Sequence, residues 1–232
     1  DGRPGVALLL FAFNDGALGK AIPKRVGQCL MTCPTTAVYD GMPDAETRLD
    51  MGKSLRFFGD GKQKSKVIAG RRYWRVPVME GEFVVEQSVG AIKAIAGGNF
   101  LVCGSDPSTT LTATERAVDA IAPLPDVITP FPGGIVRSGS KVGSQYKALF
   151  ASTNDEYCPT LKSRSDTKLA SGVTCVYEIV INGLSDTAIA NAMRIGIDAA
   201  CGDGIIAISA GNYGGNLGKF HFKLHDVMGT AT

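Results

Sequence analysis

A strand, a helix, a second strand, a glycine pair and a third strand follow one another twice in this chain. That recurrence restricts the fold more than any composition figure. The first copy runs through NFLVC (Asn99 to Cys103), a helix ending in Val118-Asp119-Ala120, the run Asp126 to Phe131, Gly133-Gly134 and Ile135-Val136. The second runs through CVYEIVIN (Cys175 to Asn182), a helix carrying Ile197-Asp198-Ala199, the run Ile205 to Ser209, Gly214-Gly215 and Lys219 to Leu224. A spacing of about 80 residues is too long for a solenoid. Each β-α-β-β piece suits a ferredoxin-like sandwich. The expectation is therefore an α+β fold of two ferredoxin-like β-α-β-β lobes related by internal duplication. The N-terminal lobe is expected over 1–152 and the C-terminal lobe over 153–232, the latter opening with a polar connector at 153–170.

The local signals agree with a sheet-rich chain. Glycine, 29 of 232 residues, is above the usual ~7% and gathers at the ends of apolar runs, as short strands joined by tight turns require. One helix is predicted from Thr112 to Ala122, with Thr112 and Glu115 as a capping box and Ala117, Val118 and Ile121 as its apolar stripe. Another is predicted from Ser185 to Ala200, with Ile189, Met193 and Ile197 on one face, Ser185 as N-cap and Asp186 favoured by the helix dipole. RYWRVPVMEGEFVVE (Arg72 to Glu86) reads as a hairpin turning at Glu80-Gly81.

Lys plus Arg number 24 and Asp plus Glu 22, a net charge of +2, which favours neither nucleic acid nor an anionic membrane as partner. No apolar run approaches the ~20 residues of a membrane span, and no secretory leader opens the chain, so a cytoplasmic location is expected. Asp1 is not an initiator methionine, which suggests a fragment or a processed form. The six cysteines are scattered, not packed into a disulfide framework. Cys29 and Cys33 lack a second ligand pair, so no zinc site is expected. His221 and His225 in FHFKLHD carry a strand pattern, which would set them roughly 13 Å apart, too far to share one ion.

Familiar catalytic motifs fail on inspection. AISAG (Ala207 to Gly211) resembles a nucleophile elbow, but no helical pattern follows it and no acid lies between Ser209 and His221. GIVRSGSK (Gly134 to Lys141) approaches a phosphate loop, yet its Lys follows the Ser and no helix begins there. Cys158 has no nearby histidine to activate it.

One residue conflicts with its surroundings. In CVYEIVINGL, Val176, Glu178, Val180 and Asn182 share a strand face, so a carboxyl sits among apolar neighbours. Burial there would raise its pKa and keep it neutral, able to donate a hydrogen bond to a developing oxyanion. The pattern alone leaves open a solvent-facing or ion-paired edge glutamate. The polar loop STNDEYCPT (Ser152 to Thr160), with Asn154, Asp155 and Tyr157, reads equally as a site loop or as a connector.

VGQCLMTCPTT (Val26 to Thr36), FFGDG (Phe57 to Gly61), MEGEFVVE (Met79 to Glu86), AGGNF (Ala96 to Phe100), PFPGGIV (Pro130 to Val136), ASTNDEYCPT (Ala151 to Thr160), CVYEIVINGL (Cys175 to Leu184) and ISAGNYGGNLG (Ile208 to Gly218) occur in one collinear series. This series closely resembles formylmethanofuran:tetrahydromethanopterin formyltransferase. The resemblance spans essentially the whole chain. It implies a two-lobed subunit of a homo-oligomer, dimer or tetramer, serving the one-carbon metabolism of methanogenesis or methylotrophy. The implied reaction moves a formyl group between a methanofuran-type carrier and tetrahydromethanopterin, both cosubstrates, by direct amine attack through a tetrahedral intermediate. No tightly bound cofactor or metal is implied.

By the same resemblance Glu178 is the protonated acid at the oxyanion. Loops at Phe131, Gly133 and Gly134 and at Asn154, Asp155 and Tyr157 are candidates for carrier binding, glycine allowing close backbone approach. Family members carry several dozen residues before the DGRPG segment, so part of the first lobe is expected to be missing. The net charge of +2 contrasts with strongly acidic archaeal members and points to the bacterial methylotroph form, a partner of hydrolase subunits. The alternative is a non-catalytic scaffold or carrier-binding subunit of such a formyltransferase/hydrolase complex.

Overall fold

The computed structural model describes residues 2–211 and 218–229. Tertiary contacts divide the chain into two compact units, Asp1–Lys93 and Ala94–Thr232.

The first unit opens with α1 (Asp15–Arg25), which the sequence signals did not predict. Asn14 caps it by accepting from the Ala17 N–H at 2.8 Å, Asp15 lies in its first turn, and Lys24 and Arg25 in its last, charges that suit the helix dipole. Pro23 inside the helix and an irregular apolar stripe hide it from a periodicity search, and the chain continues as a π-helical turn through Val26–Leu30. There follow β1 (Ala37–Val38), β2 (Thr47–Asp50), the single turn α2 (Gly52–Leu55), β3 (Lys64–Ile68), β4 (Arg71–Val78), β5 (Gly81–Glu86) and β6 (Ser88–Ala91). The sheet order is β1-β5-β4-β3, with β2 and β6 as a separate pair. The expected hairpin is present as β4 and β5, Val78 facing Gly81 across the turn. Its inward positions Val76, Phe83 and Val85 pack with Ile22, Val26 and Met51 into one core. Cys29 and Cys33 are exposed free thiols.

The second unit comprises β7 (Ile95–Gly104), α3 (Pro107–Ile121), β8 (Val127–Ile128), β9 (Ser140–Val142), β10 (Ala151–Thr153), β11 (Cys175–Gly183), α4 (Asp186–Ala200), β12 (Ile205–Ser209) and α5 (Leu224–Met228). Its main sheet has the order β12-β7-β11-β8, the arrangement a single β-α-β-β-α-β sandwich adopts. The expectation of one sandwich per repeat is corrected here. β7 of the first repeat pairs antiparallel with β11 of the second, Phe100 opposite Ile179, so the two copies build one sheet together. The expected boundary at 152/153 therefore falls inside this unit, and 153–170 is a covering segment within it.

The two long helices pack on one face. α4 lies where its period predicts, capped by Ser185 accepting from the Ala188 N–H. α3 begins earlier than the Thr112 to Ala122 signal, because Asp106 caps it and Pro107 occupies its first turn. Ala113, Ala117 and Ile121 of α3 meet Ile189, Met193 and Ile197 of α4 over Phe100, Val102, Ile179 and Ile181. Gly196 makes the close approach possible: a Cβ there would lie 2.7 Å from Ile121 Cδ1 and 3.0 Å from Phe100 Cζ. No helix among the described residues is long and apolar enough to cross a membrane.

Candidate active site

Pleating sends Asn99, Leu101 and Cys103 of β7 and Val176, Glu178 and Val180 of β11 to the sheet face away from the helices. The register aligns Ser209 with Leu101, Leu101 with Glu178, and Glu178 with Val136. Four chain segments thus contribute one row. Part of this face is covered by Val173, Tyr157 and Leu169, which pack on Leu101, Cys103 and Val176.

Glu178 lies in this row at 6% exposure. Its backbone is paired on both sides: β7 holds one edge, and Val136 exchanges two hydrogen bonds with it at 2.8 and 3.0 Å on the other. This burial and two-sided pairing argue against a solvent-facing edge glutamate, and among the described residues no ion pair reaches its carboxyl. Its Oε1 accepts instead from the neutral Asn99 side-chain amide, Nδ2 to Oε1 at 2.7 Å. Burial raises the carboxyl pKa above its ordinary value, and the Asn99 bond opposes that only in part. The group is consequently biased toward the neutral acid, which can donate.

Asn99 faces a cavity of about 430 Å³, within the size range of small-molecule sites. Gly97, Gly98, Ser209 to Gly211, Lys168 and the stretch Phe220 to His225 line the rest. The histidine pair expected on a strand lies instead on irregular chain at 220–223 and on the short helix α5. The alternation Phe222, Leu224 marks packing against the helix-side core, not strand pairing. Asn99, Lys168 and the two histidines were not singled out from sequence as site residues. Their signal is the shared strand face for Asn99, and nothing local for the others.

Of the loop candidates, Tyr157 comes closest to this cavity. Its hydroxyl and that of Ser209 share a hydrogen bond at 2.8 Å. Asn154 is buried and its carbonyl accepts from the Tyr157 N–H at 3.0 Å, closing the turn that presents the ring. Asp155 points elsewhere, into an open polar pocket of about 560 Å³ shared with Lys141, Lys162 and Arg164. There the Lys141 ammonium holds its carboxyl below the usual aspartate range.

Phe131, Gly133 and Gly134 form the turn that feeds Val136 alongside Glu178, and Phe131 is half-exposed. Gly133 and Gly134 have φ of 62° and 74°, a left-handed backbone that glycine tolerates. A Cβ on Gly134 would meet Val118 Cγ1 at 2.6 Å, so its close approach is to α3. The Gly214-Gly215 pair lies outside the described residues, as does most of GNYGGNLG.

Among the described residues no three His, Cys, Asp or Glu side chains converge as a metal site would need. The Ser209 hydroxyl shares its hydrogen bond with Tyr157, and the Cys158 thiol donates to the Asn154 carbonyl at 3.2 Å. The geometry therefore offers one buried acid, biased toward its neutral form and held by one amide beside a cavity. It suits hydrogen-bond stabilisation of an oxyanion.

Comparison with known proteins bears on what that oxyanion belongs to. Residues 1–78 match the family described as formylmethanofuran-tetrahydromethanopterin formyltransferase, and residues 81–227 match its "FTR, proximal lobe". A formylmethanofuran–tetrahydromethanopterin formyltransferase of Methylobacillus flagellatus is 55% identical over 98% of this chain and 78% of its own length. The corresponding Methanosarcina barkeri structure superposes with a TM-score of 0.87 at 51% identity, over 93% of this chain and 74% of that one. The formyltransferase/hydrolase complex of Methylorubrum extorquens, solved with methylofuran, contains a chain with a TM-score of 0.86 at 46% identity, over 93% of this chain and 73% of that one.

Proposed function

The chain belongs to the formylmethanofuran–tetrahydromethanopterin formyltransferase family, and from that premise we propose that Glu178 is the acid that stabilises the tetrahedral intermediate of its formyl transfer. The enzyme is a formyltransferase whose cosubstrates are tetrahydromethanopterin and a methanofuran-type carrier. A ring amine of the pterin attacks the formamide carbon, and the carbonyl π pair moves onto oxygen. Glu178 donates its O–H to that oxygen. Collapse of the intermediate restores the carbonyl and expels the carrier amine, which takes up the proton that the attacking ring nitrogen gives up.

The observation that carries this reading is a buried carboxyl whose side-chain partner is a neutral amide lining a cavity. An ion pair would keep such a group charged and unable to donate. In this reading Tyr157 forms part of the carrier wall through Ser209, with Asn154 and Asp155 holding its turn. Phe131, Gly133 and Gly134 contribute from the turn that leads into Val136. The subunit acts in the cytoplasm as a homo-oligomer, dimer or tetramer. The Methylorubrum neighbour, itself a formyltransferase/hydrolase complex, supports association with hydrolase subunits.

The test mixes purified protein with formylated furan carrier and tetrahydromethanopterin and follows the formyl-pterin absorbance. Glu178→Gln is expected to lower kcat by about 10²-fold, the usual worth of one oxyanion donor. An unchanged rate removes Glu178 from the mechanism.

A further inference from the structure

We propose that Asn99 is a positioning residue for this reaction, its side-chain amide fixing which oxygen of Glu178 carries the proton and therefore where the acid points. The inference rests on the reading of Glu178 as the acid. A neutral carboxyl has one hydroxyl oxygen and one carbonyl oxygen, and only the latter accepts an N–H without conflict. Asn99 Nδ2 donates to Oε1 at 2.7 Å. Oε1 is therefore the carbonyl oxygen and Oε2 the donor. Without Asn99 the carboxyl has two nearly equivalent orientations in an apolar setting, and a share of molecules would present a lone pair to the oxyanion in place of a proton.

Among the described residues, the side-chain hydrogen bond to Glu178 is the one from Asn99. Glu178 sits opposite Leu101, with Val176 and Val180 as its neighbours on the same strand face. Burial and the Asn99 bond are the influences that act on its protonation. Titratable groups approach from four sides. β7 contributes Cys103, a thiol pushed by burial up to about 11 and so neutral in the working range. The covering segment contributes Tyr157 and Lys168, and the C-terminal segment His221, Lys223 and His225 on the wall that Asn99 shares. The edge beside Val136 contributes Arg137, which acts on Tyr177 of the opposite face.

The consequence has an unusual sign. The Asn99 N–H favours the ionised form of Glu178, so removing it raises the pKa of the acid while lowering the rate. In kcat/KM against pH, the wild type should lose activity on the alkaline side as Glu178 ionises. Asn99→Leu should lower the plateau by about fivefold to tenfold and move that limb upward by about half to one pH unit, the worth of one neutral hydrogen bond.

Asn99→Asp, nearly isosteric, provides a second variant should Leu fail to fold. It places two carboxyls in contact and should split the single limb into two coupled steps. Infrared difference spectra give a readout independent of turnover. The protonated-carboxyl C=O band that Glu178→Gln abolishes should move to higher wavenumber in Asn99→Leu. A lower plateau with an unmoved limb and an unmoved band would make Asn99 merely structural and overturn the inference, while Glu178 keeps its role. Full activity in Glu178→Gln would instead defeat the underlying reading.

Discussion

A carboxyl kept neutral by burial should make the folded protein less stable as pH rises, and replacing it should relieve that cost. Glu178 has a folded-state pKa raised above the ordinary 4.5 by desolvation, with the Asn99 bond pulling the other way. Below 4.5 the acid is protonated both folded and unfolded, and it contributes no pH dependence. Between that value and the folded-state pKa the folded chain holds a proton the unfolded chain has released. Stability then falls by about 1.4 kcal/mol per pH unit. Above the folded-state pKa the loss is complete and constant.

Glu178→Gln keeps the shape and leaves Oε1 for the Asn99 amide to donate to, but it cannot ionise. The variant should therefore match the wild type at pH 4 and exceed it at pH 8, with a melting temperature about 2–4 °C higher for each kcal/mol recovered. Urea or thermal unfolding of both proteins across this range decides the matter. A Gln variant that is equally stable at pH 8, or differs by the same amount at both pH values, would refute the neutral-acid argument. A variant that is slower yet more stable is what a site residue held against its solvation preference should produce.

Two further outcomes follow from contacts already described. Tyr157→Phe deletes the 2.8 Å bond to Ser209; stability should drop by about 0.5–1.5 kcal/mol and KM for a carrier should rise about twofold to tenfold, and steady-state kinetics showing neither change would detach this loop from the site. In the first unit, Asp40 is 8% exposed and accepts from the Met42 and Gly90 N–H groups at 2.9 Å while pairing with Arg48. Burial pushes its pKa up, but these partners outweigh that and hold it below 3.8. Its stabilisation is thus complete above 3.8 and lost as the pH falls below that value. Asp40→Asn should cost about 1.5–3 kcal/mol at pH 7 and flatten the acid limb of stability, whereas parallel profiles for the two proteins would contradict the assignment.

The sequence carried the fold wherever period and cap agreed. α4 lies where its Ser185 cap puts it, and the β4–β5 hairpin is present with its turn at Met79-Glu80, one residue before the expected Glu80-Gly81. α1 escaped detection because its stability comes from the Asn14 cap and from burying Ile22 in a sheet core, neither of which shows as a periodic stripe when Pro23 interrupts it. The recurrent β-α-β order is present as β7-α3-β8 and β11-α4-β12, but what it builds was not legible. A β-α-β-β piece has one apolar sheet face and must find another piece to complete it. Nothing within either piece says whether that other piece is a separate lobe or its own duplicate. The cross-strand register of β7 on β11 answers this, and register between distant strands is a property of the assembled sheet.

The candidate site divides along the same line. Glu178 was visible because an acid in an alternating apolar strand violates the local rule, and such violations concentrate at functional positions. Asn99 was invisible: on β7 it is one polar residue ahead of FLVC, unremarkable until β7 is laid beside β11 with Val180 opposite it and Glu178 diagonal to it. His221 and His225 were read with the wrong period, because the apolar residues between them pack on a helical core and not into a strand ladder. The acid itself was therefore encoded locally, by the cost of burying it, while the amide that orients its proton is encoded only by strand pairing. A substitution at Asn99 should accordingly leave the strand propensities of β7 untouched and still change the chemistry two rungs away. That is why the Asn99 variants, judged by the direction in which the alkaline limb moves, separate a built acid from one that is merely buried.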